Sequence, residues 1–286
     1  MILSSVTAVS VYGQEADSLQ ASAPDSSAAV VVPSRWTKSW VFNLNGNQAT
    51  YRDWSEGGVN SLAFSTFTIF RLRYAGKKFG NTTRLNLRFG QTRLEDSGLE
   101  KTEDMIRISN KTEYFLTTEQ VSAFAEVAFR TQFAKGFDEE TGDLISNFMS
   151  PGYITESLGL SFQPNENFSA QMGMALKQTF VNADTLDSLY GLGEDEDFRS
   201  EGGIDVVIEF QKEVFKNFTY TAEFNSFTNL LIPIRSTDVI MFNRFTGKIN
   251  SFMSSMIEFS FMYDDDYSSL LQVKQVVTLG FNIQIL

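Results

Sequence analysis

From Trp36 onward, apolar and polar residues alternate along the chain, the period of a strand whose two faces meet different surroundings. Between Leu62 and Tyr74 one face carries Leu62, Phe64, Phe70, Leu72 and Tyr74, and the other Ser65, Arg71 and Arg73. In the next segment Leu85, Leu87 and Phe89 alternate with Arg84, Asn86 and Arg88. The same reading predicts twelve strands, at 39–52, 60–75, 81–94, 103–117, 120–134, 152–163, 167–180, 202–213, 217–230, 238–248, 252–263 and 270–286. Most run to ~10–15 residues, against ~5–6 in ordinary globular sheets. At Ile240-Met241-Phe242 both faces are apolar, which admits a bulge or a shifted register.

The connections fall into two sets that alternate. Residues 76–78, 118–119, 164–167, 215–216 and 247–248 are short and turn-like. Residues 53–58, 95–103, 135–152, 182–201, 231–237 and 264–269 are mostly longer and acidic. An even number of long strands, with turns at one end and loops at the other, predicts an all-β fold. Its form is a membrane-spanning antiparallel up-and-down β-barrel of about 12 strands, in the outer membrane of a Gram-negative bacterium. Both termini are then periplasmic and the long loops extracellular. A soluble β-sandwich or lipocalin-like barrel also alternates, but it keeps its polar residues outside. Arg and Glu in strand middles, and aromatics near strand ends (Tyr51/Trp54, Tyr74/Phe79, Phe129/Phe133, Tyr263/Tyr267), favour the inverted arrangement.

The ends of the chain carry their own signals. Residues 1–13 read as the remnant of a secretory signal, cleaved before Gln14 and without a basic start. Residues 14–35, rich in Ser, Ala, Asp and Gln, read as a flexible periplasmic leader, leaving 36–286 as the barrel. Residues 278–286 pass from a polar residue through Gly280 to alternating apolars. This resembles the terminal-strand signal read by the barrel-assembly machinery, although it ends in Leu286 rather than an aromatic.

Composition narrows the chemistry. The 286 residues contain no Cys and no His, which excludes disulfides, thiolate metal sites, cysteine nucleophiles, His-ligated metals and Ser-His-Asp triads. A net charge of -12 argues against a nucleic-acid partner. Paired carboxylates can perform acid–base chemistry, but here they crowd exposed loops where their acidity stays ordinary, so no enzyme and no cofactor is expected.

Several segments carry a family resemblance. The first loop, Asp53-Trp54-Ser55-Glu56-Gly57-Gly58-Val59-Asn60, resembles a signature of a domain-of-unknown-function family of outer-membrane barrels from the Bacteroidetes group, with Asp53 where that family has Asn. Phe129-Arg130-Thr131-Gln132-Phe133, residues 145–153 and Tyr263-Asp264-Asp265-Asp266 are similar to the same family's motifs, in the same order. The resemblance spans roughly 36–286. It implies fold and location, and no activity.

Function therefore rests on the placement of charge. Arg71, Arg73, Arg84, Arg88, Arg107, Lys111 and Arg130 fall on the inward faces of strands two to five, with Glu113 and Glu126 among them. Asp205, Glu209, Glu223 and Glu258 fall on strands eight to eleven, with Arg244 beside them. In a closed barrel these walls oppose one another. Either they set a transverse field across a wet lumen that passes small polar or ionic solutes, or they pair and fill a closed one. The loop carboxylates Glu194, Asp195, Glu196, Asp197, Asp264, Asp265 and Asp266 suit divalent-cation bridges to lipopolysaccharide, or simply form a solvated surface, and none is spaced as a calcium loop. Trp54, Gly57, Gly58 and Asn60 mark a loop suited to holding a partner protein or a larger membrane assembly. That is the expectation for a non-conducting docking barrel. Its remaining partners are outer-membrane lipid and the assembly machinery.

Overall fold

The structure, a computed structural model, describes residues 35–50, 60–94, 98–116, 120–138, 141–193, 196, 198–230, 237–264 and 268–285. Twelve long strands form the wall: β1 (Trp36–Ala49), β2 (Ser61–Ala75), β3 (Phe79–Leu94), β4 (Leu99–Phe115), β5 (Val121–Thr131), β8 (Gly152–Asn165), β9 (Phe168–Phe180), β10 (Phe198–Phe215), β11 (Phe218–Asn229), β12 (Thr237–Lys248), β13 (Met253–Asp264) and β14 (Ser268–Gln284). A two-stranded hairpin, β6 (Gly136–Phe137) with β7 (Leu144–Ser146), sits in the β5–β8 connection. Each long strand pairs antiparallel with its neighbours in the chain, and β14 closes onto β1. That closing seam holds five residue pairs, from Val41↔Gln284 to Asn45↔Gly280, whereas β1 and β2 share fourteen.

The outward face is apolar where a soluble protein would be polar. Leu158 is 68% exposed, Met174 70% and Val277 65%, all on outward positions of the wall. Aromatic rings bound this belt. At the turn end Trp36 lies against Tyr74 and Phe79 against Tyr114; at the loop end Phe64 lies against Phe89 and Phe180 against Phe198. Phe64 and Tyr74 are ten residues apart on β2. At about 3.3 Å per residue and a tilt of about 35–45°, that is roughly 25 Å along the barrel axis, the height of an outer-membrane apolar band. Burying such a belt in water-free hydrocarbon is what the closed hydrogen-bonded wall permits.

Glycines make room for one inward ring. Phe124 of β5 points inward and is 1% exposed, lying over Gly159 and Gly173. A Cβ on Gly159 would run into the backbone of Met172 and Gly173, and one on Gly173 would come 3.2 Å from the Phe124 ring.

The structure also departs from the sequence expectations. Two connections expected to be long are short: β4 begins at Leu99 and β14 at Ser268. Glu100, Glu103 and Asp104 therefore stand in a strand, and Asp264 ends β13, because backbone pairing continues past the point where outward residues stop being apolar. Likewise Glu201 lies within β10. No bulge occurs at Ile240–Phe242; β12 keeps its register with both neighbours there. Residues 1–34, Trp54, Gly57 and Gly58 lie outside the described residues, as do Glu194, Asp195, Asp197, Asp265 and Asp266.

Candidate functional site

Inward positions are fixed by strand register. Arg71 pairs with Arg84, and Arg84 with Ser109; Arg107 pairs with Arg130, and Arg130 with Tyr153. Register thus sets like charges side by side on neighbouring strands of this wall. On the other side Glu209 pairs with Glu223 across β10 and β11.

Opposite walls meet in part of the lumen. Met105 of β4 packs on Phe242 of β12, six strands away around the barrel, with Ile240 beside them. This contact is what the doubly apolar stretch of β12 is for. Next to it Arg244 donates to Glu258 through Nε, at 2.9 Å, and through Nη2. Arg88 lies 3.9 Å from both Glu258 and Glu103, and Glu103 accepts from Lys274 at 3.1 Å. Arg88 and Glu258, expected to line a passage, are 4% and 3% exposed and belong to this packed partition. Val41, Asn43, Ile69 and Asn86 are buried on the inner faces of β1, β2 and β3. Neither Arg88 nor Glu258 lines the lumen cavity; both sit in the wall-to-wall packing, the paired arrangement that the sequence left as an alternative.

On the other side of the partition lies a cavity of about 480 Å³. It runs from Gln163, Asn167 and Gln211 near the turn end to Tyr153, Lys177 and Asp238 toward the loop end. Nine of the expected lining residues face it: Arg71, Arg73, Arg84, Arg107, Lys111 and Arg130 on one wall, and Asp205, Glu209 and Glu223 on the other. Sequence reading missed Lys177 and Asp238, which pair at 2.8 Å across three strands, and Glu166. Lys177 sits among uncharged inward neighbours on β9, and Asp238 opens β12 beside a connection, so neither stood out as part of a charged row.

The cavity lining holds seven basic and seven acidic side chains. They are segregated. Strands β2 to β5 contribute six of the basic and two of the acidic groups, and the segment from β8 to β12 contributes one basic and five acidic. Arg84 Nη1 reaches Glu209 Oε1 at 3.5 Å, and Glu209 also accepts from Ser169 at 3.1 Å. Lys111 pairs with Glu113 of its own strand at 3.2 Å and donates to Ser161 of β8 at 3.2 Å. Arg71, Arg73, Arg107 and Arg130 have no carboxylate within 4.0 Å among the described residues. Arg130 lies instead over the Tyr153 ring, 4.4 Å from its centroid. Nε of Arg71 and of Arg84, and Oδ1 of Asp205, have no protein hydrogen-bond partner. These three atoms are themselves buried, turned away from the open volume, and each such unmet group costs about 1–3 kcal/mol. At about 30 Å³ per molecule the volume takes roughly sixteen waters.

The loop end is organised around one lysine. Lys101 Nζ donates to Asp104 at 3.1 Å, Gln132 at 2.7 Å, Ala134 O at 2.9 Å and Ser146 Oγ at 3.0 Å. Asp104, its side chain 1% exposed, accepts from the Phe133 and Ala134 amides at 2.7 and 2.9 Å. Val181, Leu186 and Leu192 of the β9–β10 connection pack with Leu144 of β7, and the Tyr190 hydroxyl donates to Ile145 O at 2.7 Å. The two longest described connections are thus locked to each other and to β4. Glu196 accepts from the Gly193 amide at 3.1 Å, and Asn60 directly precedes β2. Among the described residues no group of three Asp or Glu side chains is arranged to hold a metal ion.

A family described as "Protein of unknown function (DUF3078)" matches residues 46–137, a span that includes the Asp53–Asn60 loop and the Phe129–Phe133 segment. No curated protein is detectably similar in sequence. Among solved structures, an outer membrane channel from Pseudomonas putida F1 is 11% identical, with a TM-score of 0.40 over 88% of this chain and 95% of that one. The translocator domain of the autotransporter NalP from Neisseria meningitidis is 10% identical, with a TM-score of 0.37 over 86% of this chain and 87% of that one. The outer membrane channel DcaP of Acinetobacter baumannii is 7% identical, with a TM-score of 0.37 over 87% and 97%.

Proposed function

We propose that this chain is an outer-membrane barrel of a Gram-negative bacterium, with both termini periplasmic, that passes small polar or ionic solutes through an off-axis lumen chamber. The observation that carries the reading is the chamber itself: about 480 Å³, lined by fourteen charged groups segregated onto facing walls. A barrel built only to be rigid has no use for such groups, because apolar packing like Met105 on Phe242 would be cheaper. The reading assigns Arg71, Arg84, Arg107 and Arg130 to one side of the route and Asp205, Glu209 and Glu223 to the other.

A non-conducting docking barrel is the second reading. It draws support from the interlocked loop end, where Lys101 and Tyr190 hold two connections in one fixed surface. Its partners would be lipopolysaccharide or another membrane protein, met through the acidic loops. Planar-bilayer recording with purified, folded protein separates the two. Stepwise conductance supports the passage; its absence, in protein whose unheated gel migration shows a folded barrel, overturns it.

A further inference from the structure

We propose that the chamber selects zwitterions, solutes carrying a carboxylate and an ammonium group, of the size of a free amino acid or a dipeptide. The inference rests on the passage reading above and names its solute class. With seven basic and seven acidic groups the lining is formally neutral, so it gives no net attraction to an anion or to a cation. What it does provide is opposite sign on opposite sides. A monovalent ion gains at one wall and loses at the other, whereas a zwitterion turned across the chamber gains at both.

Both walls have capacity to spare. Arg71 and Arg107 have no carboxylate within 4.0 Å among the described residues, and their planar forks suit a solute carboxylate. Across from them the carboxylates of Asp205 and Glu223 line the chamber, and Glu223 Oε1 accepts a single bond, from Asn225 at 3.1 Å. An ammonium group supplies up to three donors to such acceptors. The volume falls in the lower part of the roughly 300–1,000 Å³ range of small-molecule sites. Sugars are the obvious competitor, and they are usually held by open aromatic faces. Of the three lining aromatics, Tyr153 is covered by Arg130 and Lys177, and Phe227 by Lys177, at 4.4, 5.9 and 5.3 Å to the ring centroids, which leaves Phe168.

Swelling of liposomes holding the purified full-length protein tests this with glutamine, lactate, ethanolamine and ribose. Glutamine is expected to enter at least about fivefold faster than each of the other three. In an Asp205→Asn, Glu223→Gln double variant the lining carries two net positive charges, and the advantage should pass from glutamine to lactate. In Arg107→Gln it should shift toward ethanolamine. Unheated gel migration reports folding for each variant. Entry of all four probes at similar rates, or a glutamine preference that survives both variants, overturns the zwitterion assignment while the passage reading stands. Entry of no probe into liposomes holding folded protein overturns both.

Discussion

Arg84 and Glu209 meet across the lumen, Nη1 to Oε1 at 3.5 Å, from strands five positions apart around the barrel. A contact over that span joins the two charged walls of the chamber. The side chains are 25% and 31% exposed, so the pair is wet and weak, worth about 0–1 kcal/mol to stability. Under the passage reading its importance is to where charge lies along the proposed route.

Reversing that charge should therefore change permeation more than folding. In Arg84→Glu the basic wall loses two units of charge beside Glu209, and reversal potentials in a salt gradient should move toward cation preference. Stability to urea should change by no more than about 1 kcal/mol. A reversal potential equal to that of the unmodified protein would place the ion route elsewhere.

Breaking the partition should do the opposite. Glu258 is 3% exposed and accepts from Arg244, with Arg88 at 3.9 Å; Glu258→Ala leaves two buried guanidiniums without their carboxylate. The expected loss is about 3–5 kcal/mol in urea unfolding from detergent micelles. A loss under 1 kcal/mol would show that Glu103 alone neutralises the cluster.

The apolar bridge can be thinned independently. Phe242→Ala removes the ring that touches Met105 across the barrel, at a stability cost of about 3–5 kcal/mol for a buried Phe. If the bridge is what confines the route to one side, single-channel conductance should at least double, roughly in line with the added cross-section. An unchanged conductance would mean that the limiting constriction lies elsewhere, and the Lys177–Asp238 pair is then the place to look.

At the loop end, Lys101→Met removes an ammonium whose three protons are shared among four acceptors, and leaves Asp104 buried without its cation. The β6–β7 hairpin should detach, and limited proteolysis of intact protein should cut between 135 and 150 within minutes. Resistance equal to that of the unmodified chain would show that the Leu144 and Tyr190 contacts hold the hairpin by themselves.

Most of the wall was legible in the sequence because a strand with lipid on one side and water on the other has to alternate, residue by residue. The twelve strands follow that period, and Arg71, Arg107 and Glu209 face inward as their parity requires. Strand ends were less legible: β4 extends four residues beyond its apolar pattern, to Leu99, since hydrogen bonding does not stop where lipid does. Parity also says which face a residue takes, and nothing about what stands opposite. That Arg88 would find Glu258 from four strands away, while Arg107 finds no carboxylate within 4.0 Å among the described residues, depends on the diameter and stagger of the closed wall. The hairpin at Gly136–Ser146 gave no periodic signal because its strands are two and three residues long.

The closing seam has a mechanical meaning. Five residue pairs join β1 to β14, and among the described residues the stretch of β14 from Ser268 to Leu279 has backbone pairing with β13 alone. A cylinder fastened this way is a rolled sheet with a latch. Under load, or during threading into a bilayer, β1 and β14 are the first neighbours to part, and backbone amides along that line should exchange with solvent before any others in the wall.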